Sequence, residues 1–162
     1  MIEKKICMLG AFAVGKTSLV ARFVTSMFSD KYLTTLGVKI DKKIVHLEEG
    51  DVCLLVWDIH GDDAFQKIRP SYLRGTSGYL LVVDGTRRAT LETALGLHDM
   101  VLQRLGNVPF VLVFNKVDLL DEWEIDQATI EAYSHKGWPV VTTSAKTGQG
   151  VEETFVTLAT RI

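Results

Sequence analysis

The chain has 162 residues, enough for one domain with a sizeable core, and its 18 Lys and Arg against 20 Asp and Glu leave a formal charge of −2. That balance gives no basic excess to favour nucleic acid and no charge block to suggest a tail. Hydrophobic residues make up 47% of the chain, as in ordinary globular proteins; the longest apolar runs, such as Tyr79–Val83, are far too short to cross a bilayer, and Met1-Ile2-Glu3-Lys4 reads as neither a signal peptide nor a myristoylation site.

An apolar strand at 4–9 opens the chain and runs into Gly10-Ala11-Phe12-Ala13-Val14-Gly15-Lys16-Thr17-Ser18. This is a complete G-x-x-x-x-G-K-[ST] loop in the strand-to-helix context that phosphate binding requires. Backbone N–H groups of such a loop surround the phosphates, Lys16 adds a point charge for the β- and γ-phosphates, and Thr17 offers a hydroxyl to Mg²⁺. A helix pattern follows over 16–26. Residues 38–47 alternate loosely with lysines, as an edge strand does, and join a strand at 51–57 through Glu48-Glu49-Gly50, which predicts an antiparallel hairpin. A helical pattern at 63–74 is interrupted by Pro70 and should be short or kinked.

The strand at 78–84 and the helix at 90–105 come next; His98, within the helix's apolar stripe, reads as a core or boundary residue and not as a ligand. A continuous apolar strand at 109–114 delivers Asn115-Lys116-Val117-Asp118 to its C-terminal end, where doubly wound sheets bind ligands. There the Asp118 carboxylate can accept two hydrogen bonds from guanine N1–H and its exocyclic amine, a donor pair that adenine lacks. Asn115 can brace the loops and the Lys116 stem can cover the base. A helix at 123–134 and a strand at 138–142 lead to Ser144-Ala145-Lys146, which offers the Ala145 N–H to guanine O6, and a helix at 150–162 closes the chain. Cys7 and Cys53 lie inside strand patterns and read as buried, reduced thiols, which with the nucleotide motif points to the cytoplasm.

Taken together, these blocks resemble the small GTPases of the Ras superfamily, with the nearest pattern in the Rab-like branch. The resemblance runs from Lys5 to the last helix and adds Phe28 through Thr35 and Trp57-Asp58-x-x-Gly61 to the motifs above. It implies an α/β G domain over 1–162: a six-stranded mixed sheet with one antiparallel edge strand and five helices on both faces. It implies nucleotide contacts from Ala13, Val14, Gly15, Lys16, Thr17, Ser18, Phe28, Tyr32, Thr35, Gly61, Asn115, Lys116, Asp118, Ser144, Ala145 and Lys146. Phe28 is expected against the guanine face and Tyr32 over the phosphates; Thr17, Thr35 and Asp58 are expected to hold Mg²⁺. Loops 28–37 and 59–75 become switches ordered by the γ-phosphate of GTP and released in GDP. Exchange and activating factors are implied, and an effector surface at Ile40, Trp57 and Tyr72.

The departures concern hydrolysis. Asp62 stands where the family usually has a glutamine that orients the attacking water; it is shorter, cannot donate when ionised, and faces an anionic phosphate. His60 replaces a small residue and is an alternative water-orienting group. Phe12 and Ala13 occupy loop positions that many members fill with small residues or glycine, and no arginine lies in 28–37 to act in cis. With Lys16, Asp62 and His60 are the candidate catalytic residues, and slow intrinsic turnover is the expectation. The other readings are a non-hydrolysing interaction module and a GTPase domain cut from a longer protein. No C-a-a-X box or terminal cysteine follows Arg161-Ile162, so no direct membrane anchor is expected.

Overall fold

The computed structural model describes residues 1–24, 32–33, 38–59 and 70–162, with side chains omitted at 32, 33 and 70. Its elements in chain order are β1 (Ile2–Gly10), α1 (Lys16–Val24), β2 (Tyr32–Leu33), β3 (Val38–Leu47), β4 (Gly50–Ile59), α2 (Pro70–Leu73), β5 (Thr76–Asp84), α3 (Ala89–Leu105), β6 (Phe110–Asn115), a 3₁₀ segment (Val117–Glu122), α4 (Gln127–His135), β7 (Val140–Thr143) and α5 (Val151–Ala159).

Six strands form the mixed sheet in the order β3-β4-β1-β5-β6-β7, and the two-residue β2 extends it beyond β3. The β3–β4 pair is antiparallel in the register Leu47↔Gly50 to Val38↔Ile59, as the hairpin reading predicts, and β1, β4, β5, β6 and β7 pair in parallel. Central strands are covered on both sides, which is why they read as unbroken apolar runs. Successive side chains alternate between two cores. Ile6, Met8, Leu54, Val56, Leu80, Val82, Val111 and Val113 face α1 and α5, where Phe23 and Phe155 stack at 3.8 Å. Cys7, Leu9, Leu81, Val83, Leu112 and Phe114 face α2, α3 and α4. Both cysteines are free and buried, and His98 is a core residue: its Nδ1 lies 2.7 Å from the Tyr79 hydroxyl, against Phe110 and Trp138.

The helical expectation over 123–134 is displaced. Trp123 is extended (φ −68°, ψ 135°), and α4 begins at Gln127 because Asp126 caps it, accepting from the Thr129 N–H at 2.8 Å and its hydroxyl at 2.6 Å. Of the predicted helix 63–74, the described residues contain the turn Pro70–Leu73. No helix among the described residues is long and apolar enough to cross a membrane.

Candidate nucleotide site

All the motif loops leave the C-terminal ends of strands. Gly10 ends β1, Asp58 lies near the end of β4, Asp84 ends β5, Asn115 ends β6 and Thr143 ends β7. Parallel pairing of these strands therefore gathers residues far apart in sequence along one edge, the place where open α/β sheets build their sites.

The loop from β1 to α1 is shaped by two glycines. A Cβ on Gly10 would sit 2.5 Å from the Val82 carbonyl oxygen; one on Gly15, at φ 103°, would run into the Asn115 side-chain amide. Lys16 is buried, with its ammonium donating to the Gly10 carbonyl at 2.8 Å and the Ala11 carbonyl at 3.5 Å. Burial lowers its pKa, opposed by the Asp58 carboxylate. Thr17 Oγ1 donates to Asp58 Oδ2 at 2.5 Å. A hydroxyl and a carboxylate thus meet beside the loop, hard oxygen groups of the kind that suit Mg²⁺. Phe12, Ala13, Gly15, Lys16, Thr17, Ser18 and Lys116 line a cleft of about 380 Å³.

The next three carbonyls of the loop are each held from outside. Arg87 Nη2 donates to Phe12 O at 2.9 Å, Lys116 Nζ to Ala13 O at 3.2 Å and Asn115 Nδ2 to Val14 O at 3.0 Å. No peptide among the described residues is cis, so each held carbonyl points its partner N–H the opposite way. The N–H groups of Ala13, Val14 and Gly15 are thereby turned away from the three donors.

One carboxylate organises two of these donors. Asp84, 1% exposed, accepts from Lys116 Nζ at 2.8 Å and Arg87 Nε at 3.0 Å on Oδ2, and from the Thr86 N–H and hydroxyl on Oδ1. Burial alone would raise its pKa; the hydrogen bonds from Lys116, Thr86 and Arg87 outweigh that and bring it to about 2.

At the ends of β6 and β7, Asn115 Oδ1 accepts from Thr143 Oγ1 at 2.9 Å and the Ala145 N–H at 3.3 Å, and Ser144 Oγ donates to Asp118 Oδ1 at 2.7 Å. Asp118 and Lys146 are exposed. Lys116 is left-handed (φ 75°), and its carbonyl is fixed by the Trp123 indole N–H at 2.8 Å. The indole lies on Gly85, where no side chain fits.

The sequence-predicted residues of the phosphate loop, Asp58, Asn115, Lys116, Asp118, Ser144 and Ala145 thus converge on one edge. Phe28, Thr35, His60, Gly61 and Asp62 lie outside the described residues, as do most of loops 28–37 and 59–75; Tyr32 is described only as backbone in β2. Ile40 and Trp57 are register partners in the β3–β4 pair and half-buried, while Tyr72 is 9% exposed. The Lys5 ammonium stands 3.6 Å over the Trp57 ring and donates to the Arg74 carbonyl. Asp84, Arg87, Trp123 and Thr143 are missed by motif reading. The signal for Asp84 was present, as an acid terminating an apolar strand.

A mostly parallel sheet, a glycine-bounded loop entering a helix, and a second loop carrying Asn-Lys-x-Asp at a strand end on the same edge define a phosphate-loop nucleotide-binding protein. The Ras family model matches residues 5–162, and the chain belongs to that family. It is similar to three Rab proteins of Dictyostelium discoideum. Ras-related protein Rab-21 is 34% identical over 160 residues, covering 98% of this chain and 76% of the relative. Ras-related protein Rab-1A is 33% identical over 160 residues, covering 98% and 79%. Ras-related protein Rab-1D is 32% identical over 157 residues, covering 96% and 77%. The chain is a Rab-like small GTP-binding protein of the switch type, with GTP hydrolysis as its general activity and regulators and effectors as its general partners.

Proposed function

We propose that this chain is one G domain over 1–162, acting in the cytoplasm as a Mg²⁺-dependent GTP switch whose intrinsic hydrolysis is slow. The observation that carries the reading is the convergence of the phosphate loop with Asn115, Asp118 and Ser144 on one sheet edge. In it, the N–H groups of Ala13, Val14 and Gly15, the N-terminus of α1 at Lys16-Thr17-Ser18 and the Lys16 ammonium hold the phosphates. Lys16 then exchanges the Gly10 and Ala11 carbonyls for phosphate oxygens. Asp118, oriented by Ser144, accepts from guanine; the Ala145 N–H serves O6, the Lys116 and Lys146 stems flank the base, and Phe28 covers its face.

Thr17 and Asp58, with Thr35, would hold Mg²⁺, which supplies charge neutralisation between the β- and γ-phosphates. Tyr32, Thr35 and Gly61 read the γ-phosphate and make loops 28–37 and 59–75 the switches. Ile40, Trp57 and Tyr72 with these loops form the effector surface, and exchange and activating factors act on the same region.

Slow turnover follows from Asp62 and Phe12. Phe12 is 59% exposed beside the phosphate cleft, an apolar ring where an attacking water and an incoming arginine must be placed. That exposed ring also favours the second reading, a module that holds GTP without cutting it. Single-turnover phosphate release from GTP-loaded protein tests both. Wild type is expected to release phosphate slowly, Asp62→Gln and Phe12→Gly each at least about tenfold faster, roughly the size of one positioned catalytic contact. A wild-type rate matching Asp62→Gln refutes slow turnover. No release from wild type with any activating factor establishes the module. Unchanged release in His60→Ala removes His60 from the catalytic set.

A further inference from the structure

Two of the three outward-held carbonyls are served by Asn115 and Lys116, which belong to the Asn-Lys-x-Asp motif. The first, on Phe12, is served by Arg87 from the turn between β5 and α3, outside every motif in the chain. The guanidinium spans two acceptors at once, with Nε on Asp84 Oδ2 at 3.0 Å and Nη2 on Phe12 O at 2.9 Å. An ammonium cannot reproduce that fork, and Lys116 already occupies Asp84 Oδ2.

What the contact restrains is the peptide between Phe12 and Ala13. Ala13 is one of two non-glycine residues with positive φ among the described residues, at 61°. An alanine there carries a strain that a flip of the preceding peptide relieves, because that flip changes ψ of Phe12 and φ of Ala13 together. The same flip would reverse the Ala13 N–H, which the held Phe12 carbonyl points away from Arg87 and which the proposed function gives to the phosphates. Lys116 on the Ala13 carbonyl fixes the following peptide and leaves this one free.

We infer that Arg87 is a positioning residue for nucleotide phosphates: held by Asp84, it clamps the Phe12 carbonyl and keeps the Ala13 N–H facing the cleft against the pull of Ala13's own backbone preference. The inference rests on the GTP-binding reading and adds to it a residue that acts through the loop without touching the ligand.

The test is release of a fluorescent GDP analogue from the intact, Mg²⁺-loaded protein into excess GDP. Arg87→Ala is expected to release it about tenfold faster, the equivalent of one charge-assisted hydrogen bond lost. Arg87→Lys is expected about threefold faster, because one of the two contacts survives. Glycine pays nothing for positive φ, so in an Ala13→Gly background the Arg87→Ala effect should shrink to about threefold or less. A merely structural role would give the same effect in both backgrounds, and that result overturns the inference, as does a change under twofold in Arg87→Ala. Should Arg87→Ala fail to fold by circular dichroism, Arg87→Lys replaces it: its threefold effect should vanish in the Ala13→Gly background, and an equal effect in both backgrounds overturns the inference. Wild type that retains no GDP analogue overturns the GTP-binding reading and this inference together; wild type that retains it while Arg87→Ala releases normally overturns this inference alone.

Discussion

Removing the Asn115 side chain should weaken the fold and the site in one step. Asn115 is 1% exposed, and its amide serves three groups on two other loops: the Val14 carbonyl at 3.0 Å, the Thr143 hydroxyl at 2.9 Å and the Ala145 N–H at 3.3 Å. Each buried group left without a partner costs about 1–3 kcal/mol. Val14 and Thr143 are both fully buried, whereas the Ala145 bond is long and the residue half-exposed, so it adds little. Asn115→Ala is therefore expected to lose about 3 kcal/mol, a large share of the roughly 5–15 kcal/mol that holds a domain together.

With a urea slope of about 2 kcal/mol/M, the midpoint should fall by about 1.5 M. Thr143→Val, which removes a single partner, should cost about 1 kcal/mol, and the double variant should fall short of the sum because the two share a bond. The curves are measured without nucleotide and again at saturating GDP, where ligand at a hundred times its Kd adds about 2.7 kcal/mol to a competent protein. The gap between wild type and Asn115→Ala should widen with GDP, since the Val14 carbonyl is no longer held. A loss under about 1 kcal/mol without nucleotide, or additivity with Thr143→Val, would refute the reasoning.

Further outcomes separate backbone, core and titration effects. Gly15→Ala, which meets both a left-handed φ and the Asn115 amide, should lower GDP affinity at least about tenfold by equilibrium titration. Gly75→Ala, at φ 76° with open space around it, should cost about 1 kcal/mol of stability and leave affinity unchanged. Phe155→Ala removes a fully buried ring stacked on Phe23 and should cost about 3–5 kcal/mol in chemical denaturation.

The Asp84 carboxyl lies near 2 in the folded protein against an ordinary 3.8, so the unfolded chain takes up its proton first. Its contribution is complete above 3.8 and is lost as pH falls towards 2; Asp84→Asn should flatten that limb of an acid-denaturation curve. Burial holds the His98 imidazole below its ordinary 6.5, so folding favours the neutral ring, and stability should decline as pH drops below 6.5. His98→Phe should lose that decline while removing the hydrogen-bond partner of the Tyr79 hydroxyl.

The convergence of loops 10–18 and 115–118 on one sheet edge is legible from the chain, because each carries its motif within a few consecutive positions at a strand end. The strands are legible as apolar runs for the same local reason; the folded sheet puts Ile6 and Met8 on one face and Cys7 and Leu9 on the other. What escaped was the scaffold behind the motifs. Arg87 and Phe12 are brought together only by the parallel pairing of β1 with β5, and Asp84, which has Arg87 beside it in sequence, gains Lys116 only when β6 lies beside β5. The helix expected over 123–134 starts later, at Gln127, because Trp123 spends its indole N–H on the Lys116 carbonyl and Asp126 makes the cap. Pairings that depend on tertiary assembly have no local spacing to betray them.

The position of β1 has a consequence for how the protein is made. The strand that carries the phosphate loop is interior to the sheet, and its loop is fastened by Arg87, Lys116 and Asn115, 75, 103 and 101 residues further along the chain. At about 5–20 residues per second, a growing polypeptide carries its phosphate loop for roughly 5–20 s before the last of those side chains exists. Nucleotide capture is thus a late event of biosynthesis. Ribosome-bound chains halted before Asn115 should bind no GDP, and the cell's guanine nucleotide pool can stabilise this domain only once Arg87, Asn115 and Lys116 have emerged.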